Sequence, residues 1–144
     1  MVTVFILASR DDERHVKDLW SHLVMLRRQI AGVTWATIYI EDMANSHAIV
    51  LVPSEPYIVI GCLSNVFLSL LWDSPALREV IDGAYVQVPF IISSCGWDEY
   101  PSPFADKVPL VNQAIAEQGR RKDSLLTDAV RRLRDVVIRV LQEV

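Results

Sequence analysis

The stretch TVFILASRDDERHVKDLWSHLVMLRRQ, residues 3–29, places a short apolar segment directly before a long amphipathic one. Its first part, TVFILAS (3–9), is apolar and rich in β-branched residues without clean alternation, which predicts a strand covered on both faces. In the second part, Val16, Leu19 and Leu23 recur at helical spacing, so a helix with one buried face should follow. A buried strand that leads into an amphipathic helix is the building unit of α/β proteins.

The rest of the chain continues this alternation of short apolar runs and amphipathic segments. Further strands are predicted over HAIVLVP (47–53), over AYVQVPFIIS (84–93) and, as a short edge strand, within KVPLVNQAIA (107–116). Further helices are predicted over about 60–72, over SPALREVI (74–81), and from a cap at Asp123 to the end of the sequence. Strands that alternate with helices predict a parallel sheet with helices on both faces.

The segment TWATIYIEDMANS (34–46) fits two interpretations. Its ATIYI part has the composition of a strand, whereas Trp35, Tyr39, Ile40 and Met43 form a stripe at helical spacing. A strand here would require a turn within EDMANS and then an immediate second strand. We therefore favour a helix over this segment.

Length and charge limit the classes of function. With 144 residues the chain has the size of one domain, and we treat 1–144 as a single domain. A formal net charge of −4 and a pI of about 5.3 indicate no basic surface for nucleic acid. The apolar run 57–72 is interrupted by polar residues and is too short for a membrane span, and no secretion signal is recognisable. We therefore expect a cytoplasmic protein without nucleic-acid or membrane partners.

The apolar content of the chain is high for a small domain. Hydrophobic residues make up 51% of the sequence, and the mean hydropathy is +0.26. A small domain cannot bury all of its apolar side chains, so some of them should lie on a surface that meets another protein chain. A protein partner, a homo-oligomer or both are therefore expected.

The common patterns for metals, phosphates and nucleophiles are missing from the sequence. Cys62 and Cys95 form no CxxC pair and the histidines show no ligand spacing with them, so no metal site is predicted. The turn ASRDDE after the first strand is acidic and lacks glycine, so it would repel a phosphate. Cys62 has only His47 nearby as a base, and a buried thiol is the favoured interpretation.

Three segments of the sequence resemble bacterial TIR (Toll/interleukin-1 receptor) domains. Residues 3–29 match the family's Ser-x-x-Asp-Glu type turn and its helix ending in Leu-Arg-Arg-Gln. Residues 35–52 resemble the family's second helix and following strand, and 88–110 resembles its stretch with Pro, Cys-x-Trp and Pro-Phe. The matching positions are Ser9, Asp12, Glu13, Leu26, Arg27, Arg28, Gln29, Pro89, Cys95, Trp97, Pro103 and Phe104.

The resemblance implies a flavodoxin-like, three-layer α/β/α fold with a small, mainly parallel sheet of three or four strands. It also implies a role in innate-immunity-type signalling and, for many bacterial members, cleavage of NAD⁺. Members that cleave NAD⁺ carry a glutamate three or four residues after a cysteine, where it binds the ribose and stabilises positive charge. Here Asn65 stands in that region, and Glu55 is the nearest acid but lies on the other side of Cys62.

A second departure from the family concerns the sheet. The family's second strand and its loop should lie between Gln29 and Trp35, where only IAGVT is present. Without that strand, the first strand would form an edge with unpaired backbone groups, and such edges invite pairing with another chain. Val4, Phe5 and Leu7 are therefore the predicted interface residues.

Together these features predict a non-catalytic TIR-like module of a bacterial defence or signalling system, acting by self-association or by docking to a partner protein. One alternative is an NAD⁺ hydrolase that uses Glu55 or an acid from a neighbouring protomer, with NAD⁺ as substrate rather than cofactor. Another is a nucleotide-sensing pocket without chemistry, bordered by Ser9, Asp12, Trp35 and Ser54. No cofactor is expected outside these alternatives.

Overall fold

The computed structural model describes residues 2–44, 55–99 and 102–144. Within these residues the strands are β1 (Val2–Ala8), β2 (Val33–Tyr39), β3 (Tyr57–Leu63) and β4 (Val86–Ile91). The α-helices are α1 (Glu13–Gln29), α2 (Ile40–Ala44), α3 (Asn65–Trp72), α4 (Pro75–Asp82) and α5 (Lys122–Glu143). Short 3-10 helices span Arg10–Asp12, Ile115–Glu117 and Gly119–Arg121. The strands pair in parallel in the order β2-β1-β3-β4, which gives the expected flavodoxin-like α/β/α fold.

Helices cover both faces of the sheet. On one face, Ile6 of β1 belongs to the same buried cluster as Leu19 of α1 and Leu133 of α5. On the other face, Leu7 of β1 shares a buried cluster with Phe67 of α3. Because neighbouring residues of β1 are buried on opposite faces, its sequence is apolar throughout instead of alternating.

The backbone of β1 alternates between its two neighbours. The N–H of Val2 donates to the carbonyl oxygen of Gly32 on the β2 side at 3.0 Å. The N–H of Thr3 donates to the carbonyl oxygen of Pro56 on the β3 side at 3.3 Å. β1 therefore lies between β2 and β3, and both of its edges are paired.

Serine residues cap α3 and α4. The hydroxyl of Ser64 accepts the N–H of Phe67 at 3.2 Å, and that of Ser74 accepts the N–H of Leu77 at the same distance. Each cap supplies a partner for an N–H group that the first helical turn leaves free. Pro75 occupies the start of α4, where its missing N–H has no cost.

Several predictions from the sequence are confirmed. The helix after the first strand runs to Gln29, and Gly32 follows it with a φ of 80° that favours glycine. The segment 84–93 contains β4, 74–81 corresponds to α4, and a long amphipathic helix ends the chain. Ser9 caps the turn after β1 by accepting the N–H of Asp11 at 3.2 Å.

Two helix predictions are wrong where strand pairing overrides local pattern. The segment 34–46 forms β2 and the short α2, because residues 33–39 pair with β1 along their whole length. The predicted helix over 60–72 begins only at Asn65, because the preceding residues form β3, in which 57–61 pair with β1 and 58–63 pair with β4.

The prediction that the first strand forms a sheet edge is therefore also wrong. β2 occupies the position beside β1 that the sequence interpretation left empty. Val4, Phe5 and Leu7 are buried in the middle of the sheet, so they present no surface to a partner.

Three smaller predictions concern the loops. Residues 107–116 form no strand, although the N–H of Leu110 donates to the carbonyl oxygen of Pro89 at 3.0 Å. Asp123 does not cap α5, because the helix begins one residue earlier and Arg121 precedes it. The predicted strand at 47–53 lies outside the described residues.

Candidate functional site

Polar side chains gather at the carboxyl ends of β1, β2 and β3, the usual ligand side of an open α/β sheet. Ser9 directly follows β1, and its hydroxyl donates to Oε2 of Glu41 in α2 at 2.8 Å. The backbone N–H of Arg10 donates to both carboxylate oxygens of Glu41, at 2.8 and 3.0 Å. Glu41 is thus held against the end of β1 by three donated hydrogen bonds.

Asp12 forms the buried part of this polar cluster. It is only 8% exposed, and Oδ2 accepts a hydrogen bond from the Ser64 hydroxyl at 2.6 Å. Burial raises the pKa of Asp12 above its usual value, and the hydrogen bond from Ser64 opposes this only in part. Because the Ser64 hydroxyl also caps α3, one side chain connects the ends of β1 and β3 to the helix.

Arg10 marks the outer rim of the cluster. Its guanidinium contacts Asp42 at 2.6 Å and Glu13 at 3.7 Å, and it lies 4.2 Å from the ring centre of Tyr39. Arg10 is therefore paired with two carboxylates at this end of the sheet. We call the set Ser9, Asp12, Glu41 and Ser64 the strand-end cluster.

The structure brings together only part of the predicted pocket. Ser9 and Asp12 lie in the strand-end cluster, and Ser54 lies outside the described residues. Trp35 lies within β2, where its ring packs edge-on against Trp20 with the ring centres 6.5 Å apart. Its Nε1 is buried and has no hydrogen-bond partner among the described residues.

Glu55, the proposed substitute for the missing catalytic acid, lies at the opposite end of the sheet. It precedes β3, whereas Ser64 follows that strand. Seven strand residues between them span roughly 20 Å at 3.3 Å per residue. Glu55 is exposed and lies far from the strand-end cluster.

A second candidate site lies on the outer face of α3. This helix contains no charged residue, and only Phe67 and Leu71 of its eight residues are buried. Val66 and Trp72 are 39% and 61% exposed, although both are large and apolar. A helix that is apolar nearly all round is normally enclosed by protein.

A pocket of about 400 Å³ adjoins this helix. It lies between α3, the start of α4 and the loop after β4. Its lining residues are Asn65, Leu68, Ser69, Leu71, Trp72, Arg78, Cys95, Ser102 and Pro103. Arg78 is the one charged residue in this described lining, and it donates to the backbone oxygen of Trp72 at 3.2 Å. We call α3 and this pocket the α3 surface.

Neither cysteine has the environment of a nucleophile. Cys62 is completely buried in β3, and burial raises the pKa of its thiol far above the usual value. Burial also raises the pKa of the Cys95 thiol, which lines the pocket of the α3 surface. Both thiols should therefore stay protonated at neutral pH.

The sequence interpretation missed Glu41, Ser64 and the α3 surface. Glu41 and Ser64 acquire their roles from contacts over 32 and 52 residues, and no local pattern encodes those contacts. The α3 surface did leave a signal, because NVFLSLLW (65–72) contains no charged residue at all.

The described residues contain no cluster of three or more histidine, cysteine or acidic side chains that could hold a metal ion. No helix among them is long and apolar enough to cross a membrane. Comparisons of the chain with protein-family models, with curated proteins and with solved structures find no match. The resemblance to TIR domains therefore stays a prediction from the sequence.

Proposed function

We propose that this chain is a non-catalytic, TIR-like interaction module that docks a partner protein through the α3 surface, as an adaptor in a bacterial defence or signalling system. The observation that carries the proposal is the exposure of Val66 and Trp72 on a helix without charge. Exposed apolar patches of this kind mark protein-interaction sites.

The α3 surface has the features expected at the centre of a protein–protein interface. Trp72 stands out from the surface as a large apolar anchor, and tryptophan is among the residues that contribute most to binding energy. The neighbouring pocket of about 400 Å³ can receive an apolar side chain of the partner. Burying one such side chain is worth about 1.5–3 kcal/mol.

The same region argues against NAD⁺ cleavage as the function. Asn65, at the first position of α3, has a neutral amide where the catalytic members carry an acid. No carboxylate belongs to the described lining of the pocket. The acids nearest to β1 are engaged, since Glu41 accepts from Ser9 and Arg10.

Site-specific cross-linking in cells tests the docking surface. A photoreactive benzoylphenylalanine replaces exposed Ser69 on α3, and a matched variant carries it at exposed Asp135 on α5. We expect one discrete protein adduct from the α3 position, none from the α5 position, and loss of the adduct when Trp72→Ser is added. Equal labelling at both positions, or no adduct at all, would contradict the proposal.

Nicotinamide release tests the absence of catalysis. Concentrated protein is incubated with NAD⁺ beside the Glu55→Gln variant, and we expect both to match the buffer blank. Release by the wild type that the variant lacks would establish an NAD⁺ hydrolase and overturn the non-catalytic proposal.

A further inference from the structure

We propose that the groove between β4 and α5 binds a free aliphatic carboxylate, a molecule with one anionic headgroup and one apolar chain. This β4–α5 groove is formed by residues 86–88 of β4, by the segment 107–110, and by Arg132, Val136 and Arg139 of α5, and its volume is about 420 Å³. It lies apart from the α3 surface, and the inference does not rest on the docking proposed there.

Two contacts mark the ends of the β4–α5 groove. Near the end of β4, the N–H of Leu110 donates to the carbonyl oxygen of Pro89 at 3.0 Å. Just before the start of β4, the Tyr85 hydroxyl donates to Oε2 of Glu143, the last residue of α5, at 2.8 Å. The helix and the strand therefore run in opposite directions, and the groove lies along both of them.

The floor of the groove is apolar and incompletely covered. Val88 and Leu110 are buried, whereas Val86 and Val136 are only partly buried where they pack against the core. Val108 in the rim is 79% exposed. An aliphatic chain in the groove would remove this apolar surface from water, which is favourable. The volume is also within the range of about 300–1,000 Å³ that is typical of small-molecule sites.

Cations without a close carboxylate stand at one end of this floor. The guanidinium of Arg132 donates to the carbonyl oxygen of Pro109 at 3.4 Å, so it reaches across to the segment 107–110. Arg132 forms no ion pair in the described part of the chain. The ammonium group of Lys107 has only its neighbour Asp106, at 3.8 Å, and that carboxylate is 82% exposed. Lys107 and Arg132 are therefore both available to an anionic headgroup.

The other end of the groove is nearly neutral. Arg139 lies two helical turns beyond Arg132, which is about 10 Å along the helix axis at 1.5 Å per residue. Its charge acts on Tyr85, where it opposes the rise in pKa that the hydrogen bond to Glu143 causes. The carboxylate of Glu143 thus offsets Arg139, and the aliphatic stem of Arg139 can cover an apolar chain.

This distribution of charge selects the ligand. The headgroup lies between Lys107 and Arg132, and the chain extends past Val136 toward Arg139. The described lining contains no carboxylate that would repel the anion. One anionic position and one apolar track match a single-chain carboxylate of medium length, such as decanoate. Inorganic phosphate would leave the apolar floor exposed.

Isothermal titration calorimetry of the full chain with sodium decanoate, kept below its micelle concentration, tests the site. We expect saturable binding of one decanoate per chain. Hexanoate should bind more weakly, by about fourfold for each methylene group that is no longer buried. Decanol, which has the chain without the charge, should bind about tenfold more weakly than decanoate.

Two neighbouring arginines of α5 provide the matched variants. Arg132→Gln should lower the affinity for decanoate about tenfold, because it removes a charged donor to the headgroup. Arg131→Gln is the control, since Arg131 lies outside this groove and contacts exposed Asp128 at 3.5 Å. It should leave the affinity unchanged, as should Trp72→Ser on the α3 surface. Both arginines are exposed, and thermal unfolding verifies that each variant is folded.

Several outcomes would overturn the inference. Without saturable heat from decanoate, the groove is not a site for this class of molecule. Equal binding of decanol would remove the role of the cations, and equal losses in Arg132→Gln and Arg131→Gln would place the anion elsewhere. Loss of binding in Trp72→Ser would assign decanoate to the pocket of the α3 surface.

Discussion

The strand-end cluster and the α3 surface differ in whether their side chains find partners within the chain. In the cluster, polar groups are buried or half-buried, and each finds its partner inside the chain, as Asp12 does in Ser64. On the α3 surface, apolar groups such as Trp72 lie in water without a partner among the described residues. The first region is complete in the isolated chain, whereas the second gains free energy only when another molecule covers it.

The two regions should therefore respond differently to substitution. The cluster occupies the ligand side of the sheet and includes Ser9 and Asp12, two of the positions that resemble TIR domains, yet its groups are engaged with one another. Substitutions there should therefore act on stability. Substitutions on the α3 surface should act on association and leave stability nearly unchanged.

Within the strand-end cluster, the largest expected effect on stability comes from Ser64→Ala. The change removes the hydroxyl that donates to buried Asp12 and that also caps α3. A lost cap and a lost hydrogen bond to a charged group together cost about 2–4 kcal/mol of the free energy of unfolding. Urea unfolding measures this loss in the free energy of unfolding. Ser94→Ala is the control, because the bond from Ser94 to Glu117 is exposed and should contribute less than about 0.5 kcal/mol.

A cost below about 1 kcal/mol for Ser64→Ala would mean that the cluster is not the internally completed region described above. Equal costs for Ser64→Ala and Ser94→Ala would lead to the same conclusion.

The second prediction concerns Asp12 and pH. Burial raises the pKa of Asp12 in the folded chain, so the folded state binds its proton more tightly than the unfolded state does. Stability from this group is thus present at low pH and is lost as the pH rises from about 4 through the raised pKa. Asp12→Asn, which cannot titrate, should flatten this part of the stability profile.

Thermal unfolding at closely spaced pH values makes the measurement, with exposed Asp135→Asn as the control. Asp12→Asn should also recover part of the stability lost in Ser64→Ala, because a neutral amide tolerates the missing donor better than a carboxylate. A profile that rises with pH in the wild type and is unchanged in Asp12→Asn would contradict this description.

How well the sequence predicted each strand or helix depends on whether the pattern of that segment fits one type of secondary structure or two. Residues 3–29 contain a β-branched run and a clear helical period, so the first strand and helix were predictable. Residues 34–46 fit both periods, and pairing with β1 decided the outcome in favour of β2. The run 57–63 is apolar throughout because both faces are buried, so periodicity cannot distinguish it from a helix.

The site was predictable only where its residues follow an element directly. Ser9 and Asp12 come just after the first strand, and the structure confirms their place at its carboxyl end. Glu41 could not be assigned, because it reaches Ser9 only once β2 is known to be a strand. Ser64 could not be paired with Asp12 for the same reason, since the end of β3 was placed inside a helix.

The third prediction concerns Trp72 and has a small effect on stability. Trp72→Ser should change the free energy of unfolding by less than about 0.5 kcal/mol, because the side chain is 61% exposed. It should nevertheless remove most of the fluorescence that anilinonaphthalene sulfonate gains on the folded protein. Phe67→Ala, a buried neighbour on the same helix, is the contrasting variant and should cost about 3–5 kcal/mol. Undiminished dye binding by folded Trp72→Ser would show that the apolar surface lies elsewhere.

The smallest expected effect concerns the thiols, and it tests whether the pocket of the α3 surface is open to small molecules. Cys95 is half-buried in the pocket lining, and burial raises the pKa of its thiol, so little thiolate is present at neutral pH. Iodoacetamide should therefore alkylate Cys95 more slowly than it alkylates free glutathione, and Cys62 should react only after unfolding. Mass spectrometry of the time course measures both rates. A docked partner should slow the reaction at Cys95 further, because it covers the pocket, whereas fast alkylation of Cys62 in the folded protein would contradict the burial of β3.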